Sequence, residues 1–273
     1  MDHRKNLIDT SLLAIRRERA KPEALFLQKL AADEVQDRLN TVNRSFMRPA
    51  VVTPFPSVWD GRLGPDATII TDADTLDLQS EAHDLVVHSL GLHWSNDPVG
   101  QLIQCRRALN PDGLLLALTL GGQTLHELRT ALAEAEVAEM GGLSPRVAPM
   151  GEIRDLGALL QRAGLALPVA DSAPIEALYD DMWHLMRDLR AMGETNVLTG
   201  RLRKMSGRGF FERATEIYRN AFGKESGKIR ATFEIVVLTG WSPDASQQQP
   251  LRPGSAQARL AEALESTEIP LSD

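Results

Sequence analysis

The chain has 273 residues, of which 43% are apolar and 25% charged, with a formal net charge of −7. That length suits one large α/β domain with or without an appended subdomain. The apolar share argues against wholesale disorder, and the acidity with no long basic stripe argues against nucleic acid as the default partner. No apolar run approaches the roughly 18 residues of a membrane span, the mixed charges of residues 1–20 do not make a secretory signal, and one cysteine, Cys105, excludes an internal disulfide and a cysteine-based metal cluster.

A helical segment opens the chain. Pro22 suits the first turn of a helix, and Leu27, Leu30, Ala31, Val35 and Leu39 share one face as far as about Val42. That face covers a sheet; a lid over a ligand is the alternative. Strands are expected at Ala50 to Phe55, Thr68 to Thr71 and Asp84 to Leu90. Asp97-Pro98 predicts a capped helix start, continued by Val99, Leu102, Ile103 and Leu109. Asn110 to Gly113 reads as a turn, and Leu114 to Leu120 as a strand with both faces covered.

Gly121-Gly122 ends that strand, and Thr124 with Glu127 reads as a capping box for the next helix. Ile153, Leu156, Leu159, Leu160 and Ala163 predict a helix stopped by Gly164. A strand beginning at Val169 follows, then two amphipathic helices. One carries Met182, Leu185, Met186, Leu189 and Met192 before Gly193; the other carries Phe210, Ala214, Ile217, Tyr218 and Ala221 before Gly223. Thr232 to Gly240 is the last strand, with a short helix expected near Ala256 to Leu264. The division is a helical segment 1–45, an α/β domain 46–245 with a helical insertion at about 179–224, and a Pro- and Gln-rich tail 246–273. Strands alternating with helices imply a mostly parallel sheet with right-handed crossovers and helices on both faces.

The stretch His83-Asp84-Leu85-Val86-Val87-His88-Ser89-Leu90-Gly91-Leu92-His93-Trp94-Ser95-Asn96-Asp97-Pro98 runs a buried strand into a polar, aromatic corner and then a helix. With Leu109-Asn110-Pro111-Asp112-Gly113 and the strand after it, this resembles a class I S-adenosylmethionine-dependent methyltransferase with a Rossmann-like fold. Gly121 to Arg129, Ser144-Pro145-Arg146, Arg154 to Gly164 and Pro250 to Ala256 narrow the likeness to one branch. That branch holds the biotin-synthesis malonyl-carrier methyltransferases and, more closely, the respiratory complex I assembly factor 5 proteins. The resemblance covers roughly residues 24 to 265.

The family places a Gly-x-Gly-x-Gly loop after its first strand, where bare backbone can approach the cofactor and donate amides. Here that segment is Val51-Val52-Thr53-Pro54-Phe55-Pro56-Ser57, with no glycine. Pro54 and Pro56 each remove a donor, and Phe55 adds bulk. The spacing departs as well. Such a domain needs three strands and two crossovers before its fourth strand, and a crossover takes about 10–12 residues. Asp72 to His83 lacks a helical apolar face, so one strand–helix unit near the N-terminal half is expected to be missing. Asp72 to Leu78 resembles the acidic stretch after the family's third strand, leaving no counterpart to the second-strand acid.

The resemblance implies S-adenosylmethionine as cofactor, no metal, and Thr53, Phe55, Asp72, Asp74, Leu90 and Gly91 on the cofactor side. His93 and Trp94 stand where the family often holds catalytic or substrate-orienting groups; a strand-end histidine beside a packing tryptophan is the alternative. Asp97 reads as a cap rather than a catalytic acid, His88 as a core histidine, and Gly121-Gly122 as either an anion cradle or a tight turn. Arg146, Arg154 and Arg252 are candidates for a substrate acid or a partner protein, with a structural network around Arg146 and Arg154-Asp155 as the alternative. The face from Met182 to Met192 reads as core rather than a docking groove. His83, His88 and His93, five apart, do not converge on a metal.

Two functions follow. One is a methyltransferase-like protein with an impaired cofactor site, a pseudoenzyme of the complex I assembly type that acts on or binds a protein partner. The other is an active methyltransferase on a small molecule, a carrier-bound acid or a protein side chain. The single cysteine suits a reducing cytoplasm, with peripheral docking at the cytoplasmic face of the inner membrane compatible with it.

Overall fold

Six strands make one mixed sheet in this computed structural model, which describes residues 6–248. In chain order they are β1 Pro49–Thr53, β2 Thr68–Thr71, β3 His83–Ser89, β4 Leu109–Leu120, β5 Ala166–Tyr179 and β6 Ile229–Trp241. Their spatial order is β2-β1-β3-β4-β6-β5. The pairs from β2 to β4 are parallel, and β6 runs antiparallel to both β4 and β5. The described residues through Pro243 form one compact unit, and Asp244 onward belongs to another.

Strand periodicity explains the layering, because successive side chains point to opposite faces. Val51, Leu85, Val87, Leu114, Leu116 and Leu118 pack on one face with α2 (Phe26–Thr41), α4 (His126–Met140), α6 (Met182–Ala191) and α7 (Arg208–Phe222). Ala50, Val52, Val86, Leu115 and Ala117 pack on the other with α3 (Pro98–Ala108) and α5 (Ile153–Arg162). Central strands covered on both faces read as continuous apolar runs, as β4 does. The arrangement is Rossmann-like, with helices on both faces.

Among the described residues, two strands precede β3. Residues 54–67 hold a 3-10 turn at Pro56–Val58 instead of a helix, and residues 72–82 join β2 to β3 without a strand or helix. One strand–helix unit is therefore missing where the spacing predicted.

Several expectations need correction. β1 stops at Thr53 rather than Phe55, since Pro54 cannot donate to a ladder. Pro22 opens a separate 3-10 turn, Pro22–Ala24, and α2 begins at Phe26. A further helix, α1 (Thr10–Glu18), precedes it, capped by the Asp9 side chain accepting from the Leu12 amide. Asn110 to Gly113 does not separate two elements. The register passes from His83↔Leu109 to Leu85↔Leu114, so the four residues bulge opposite Asp84, with Asp112 at φ 58°. β5 begins at Ala166, three residues before Val169.

The capping box does not form. α4 starts after Leu125, which sits at φ 53° without a side-chain cap. The Thr124 hydroxyl instead accepts from the Glu234 amide, and Glu127 accepts from the amide and hydroxyl of Thr232. Both side chains tie the helix start to β6. The expected helix near Ala256 to Leu264 lies outside the described residues.

Candidate functional site

β3 delivers its carboxyl end to a corner. Leu90 turns at φ 42°, a 3-10 turn spans Leu92–Trp94, and α3 starts on Asp97, whose carboxylate accepts from the Gly100 amide. Asp97 is therefore a cap, as the Asp-Pro pair predicted. Gly91 is required here because a Cβ would collide with the Asp72 carboxylate.

The two corner aromatics turn inward onto one acid. His93 Nε2 lies 3.2 Å from Glu194 Oε2, and the Trp94 indole N–H donates to the same oxygen at 2.7 Å. His93 is almost fully buried and its Nδ1 has no partner. Burial alone would raise the Glu194 carboxyl; the neighbouring His93, the bonds from both rings and the charge of Arg17 outweigh it and hold the group below the ordinary carboxylate range. Glu194 was not singled out from the sequence. Its signal is its place directly after Gly193, which takes φ 80° to stop α6 and turn the chain back toward the corner.

A cavity of about 270 Å³ opens beside this corner. Arg17, Asp72, Asp74, His88, Gly91 and Gln101 line it, together with Trp94. Arg17 reaches from α1 to bond Asp72 at 2.9 Å, both side chains mostly buried. Burial raises the Asp72 carboxyl, and Arg17 opposes that rise. Burial likewise pushes His88 down to about 4, against its bond with Gln101. The Gln101 side-chain N–H groups donate to the carbonyls of Ala73 and Asp74, leaving its oxygen to accept from His88 Nε2. Neutral His88 therefore keeps an unprotonated, buried Nδ1 with no partner.

A second cavity of about 200 Å³ lies across the indole. Leu27, Leu120, Leu128, Met150, Met186 and Phe233 make it apolar; Arg146, Arg190 and Glu194 supply the charges. Trp94 lines both cavities and is the wall between them. Arg146 is committed to a network: it bonds Glu136 at 2.9 Å and stacks 4.1 Å from the Phe210 ring centroid. Burial would raise Glu136, but bonds from Ser144 and Arg146 bring it below its ordinary range.

The remaining candidates separate. Asp72, Asp74 and Gly91 meet in the first cavity, while Leu90 is buried in the core. Thr53 and Phe55 line neither cavity; the Thr53 hydroxyl accepts the Phe55 amide at 3.2 Å. Arg154 sits on α5 beside an open groove with Val169, and Arg252 lies outside the described residues. Gly121-Gly122 is not an anion cradle. Glu234 occupies its amide side, accepting from Gln123, and Glu152 crowds Gly122. Met182, Leu185, Leu189 and Met192 are core, as expected, while Met186 and Leu189 also line the second cavity. Among the described residues, no three His, Cys, Asp or Glu side chains are placed to hold a metal ion.

A methyltransferase domain family profile matches residues 59–117. The protein named Arginine-hydroxylase NDUFAF5, mitochondrial, of Danio rerio is 37% identical over 198 residues, covering 72% of this chain and 61% of that protein. The Malonyl-[acyl-carrier protein] O-methyltransferase of Laribacter hongkongensis is 37% identical over 188 residues, covering 69% and 61%. The chain thus spans about three fifths of the length of these relatives. Among solved structures, the YcgJ protein of Bacillus subtilis aligns with 78% of this chain and 98% of its own, at 11% identity and a TM-score of 0.49.

Proposed function

Because the chain belongs to the class I S-adenosylmethionine-dependent methyltransferase superfamily, in the branch of the complex I assembly factor 5 and malonyl-carrier-protein methyltransferases, we propose that it is a methyltransferase-fold protein with an impaired cofactor site, an assembly-type factor that binds a respiratory complex I subunit. The observation that carries this reading is the wall at residues 51–57. A bound methyl donor needs backbone amides and close approach at that wall. Pro54 and Pro56 have no amide hydrogen, the Phe55 amide is spent on the Thr53 hydroxyl, and a 3-10 turn replaces the helix whose first turn would face the donor. The residues present do not fit the methyl donor held in the family's manner.

The opposite wall supports the same reading. Asp72, the acid available to a ribose or adenine, is committed to Arg17. Trp94 then separates the polar cavity from the apolar one, whereas group transfer brings reacting atoms to about 3–3.5 Å. What the chain retains is binding machinery: a polar cleft, an apolar cavity and the Arg146–Glu136 anchor. Cys105 is buried with its thiol pushed up to about 12, so it is inert. The proposal sets the protein in the cytoplasm. No helix among the described residues is long and apolar enough to cross a membrane.

The second reading, an active methyltransferase, draws on the first cavity's volume and on the retained pair of Asp72 with Gly91. Calorimetry with S-adenosylmethionine and its demethylated product decides between them. No heat of binding up to millimolar ligand supports the proposal. Stoichiometric binding at about 1 μM, worth about −8 kcal/mol, overturns it. Co-purification of complex I subunits, with loss of complex I assembly on gene deletion, tests the partner.

A further inference from the structure

Overall acidity hides a local reversal. Residues 199–208, Thr-Gly-Arg-Leu-Arg-Lys-Met-Ser-Gly-Arg, carry four cations and no acid in a chain of net −7, so the rest of the chain is more acidic still. They form the loop that leads into α7. Arg201 turns back onto Asp9 at 3.1 Å and fastens the base of the loop. Arg208 pairs with Glu212 in open solvent. Among the described residues, Arg203 and Lys204 have no ion-pair partner, and Leu202 to Met205 is exposed throughout.

Exposed apolar side chains lie in the same loop and in segments joined to its base. Met205 is 98% exposed, Leu143 70%, Leu7 57% and Leu202 38%. Contacts at the base of the loop join the segments that carry Leu7 and Leu143 to it. Ile8 bridges Leu198, the Thr199 amide donates to the Leu7 carbonyl, and the Asn196 side chain donates to the Pro145 carbonyl.

We propose that this loop docks the protein on an anionic phospholipid surface, with Arg203 and Lys204 among the headgroups and Met205 and Leu202 at the acyl boundary. A short basic segment is attracted to an anionic leaflet, and apolar side chains beside it add interfacial burial. The acidic remainder is repelled by the same surface, which favours an orientation with the loop down. An acidic protein would match the cations equally well. Met205, 98% exposed beside Lys204, adds an apolar contact that a lipid interface would match and an acidic protein surface would not. The orientation has a consequence for the cleft. Asn196 lines the second cavity and donates to the carbonyls of Pro145 and Arg146, next to this loop. Docking would turn that side of the apolar cavity toward the membrane.

The test is flotation of the full chain with phosphatidylcholine vesicles, with and without about 30% phosphatidylglycerol. Binding to the anionic vesicles alone, lost between low and high salt, is expected. R203E/K204E weakens it by more than about thirtyfold, the loss of two cations alone, and M205S by about threefold, each with an unchanged circular dichroism spectrum. R154E/R162E, an equal charge change on α5, leaves it unaltered. The proposal is overturned if both vesicle types bind alike or neither binds, if R154E/R162E weakens binding as much as R203E/K204E, or if soluble polyglutamate displaces the vesicles and M205S has no effect. The last outcome marks an acidic protein surface instead.

Discussion

The two cavities on either side of Trp94 are built from opposite materials. The first satisfies its charge internally: Arg17 holds Asp72, and His88 is kept neutral by burial. The second is an apolar chamber with an ionised carboxylate, Glu194, at the wall it shares with the first. One region is a polar cleft whose main charges are paired within the fold, the other an apolar chamber with a carboxylate at its edge. The two cavities can vary independently, because separate elements build them. α1 and the β2–β3 connection make the first; α4, α6 and the turn after α6 make the second.

Removing the wall breaks the comparison most severely. Trp94→Ala deletes a buried indole that packs in both linings and bonds Glu194. A loss of about 3–5 kcal/mol is expected from urea unfolding, the usual range for truncating a large aromatic in a core. If the variant is as stable as the parent, the two cavities are already continuous in solution and the partition is not a structural feature.

How much of this was legible beforehand follows from sequence distance. β1 through β4 announced themselves as short apolar runs between turn residues, and the Asp97-Pro98 start is a local signal that local reasoning reads correctly. Missing length between β2 and β3 revealed the lost strand–helix unit. Side-chain partnerships were not legible. Arg17 meets Asp72 across 55 residues and His93 meets Glu194 across 101, and no periodicity encodes either. Thr124 and Glu127 have the spacing of a capping box, yet β6 offers both side chains better partners than the helix amides. The basic loop escaped notice because net charge averages over the whole chain.

A pH series sharpens the description of the first cavity. His88 is lowered from 6.5 to about 4. Below pH 6.5 the unfolded chain takes up a proton that the native state refuses until about pH 4. Its contribution is therefore present above 6.5 and lost as pH falls toward 4. The difference of about 2.5 units is worth about 3 kcal/mol. Replacing His88 with Gln is expected to flatten the stability profile between pH 6.5 and 4. An unchanged slope means that His88 is solvated through the cavity.

The second cavity gives the smaller effect and the sharper sign. The Glu194 carboxyl lies below the ordinary glutamate value of 4.5 in the native state. Its contribution is thus fully present above pH 4.5 and disappears as pH falls through the native value. Glu194→Gln keeps an acceptor for the Trp94 N–H but removes the charge facing His93. A cost of about 1–2 kcal/mol is expected at pH 7, the scale of a hydrogen bond to a charged group. Parent and variant should then converge in acid, where the parent's carboxyl is protonated too. A gap that persists once the pH is below the native value of the carboxyl would assign the loss to packing around the amide, and the carboxylate would no longer be what orders the two aromatic rings. Convergence would make Glu194 the group that holds the wall in place, and so the residue on which the separation of the two cavities depends.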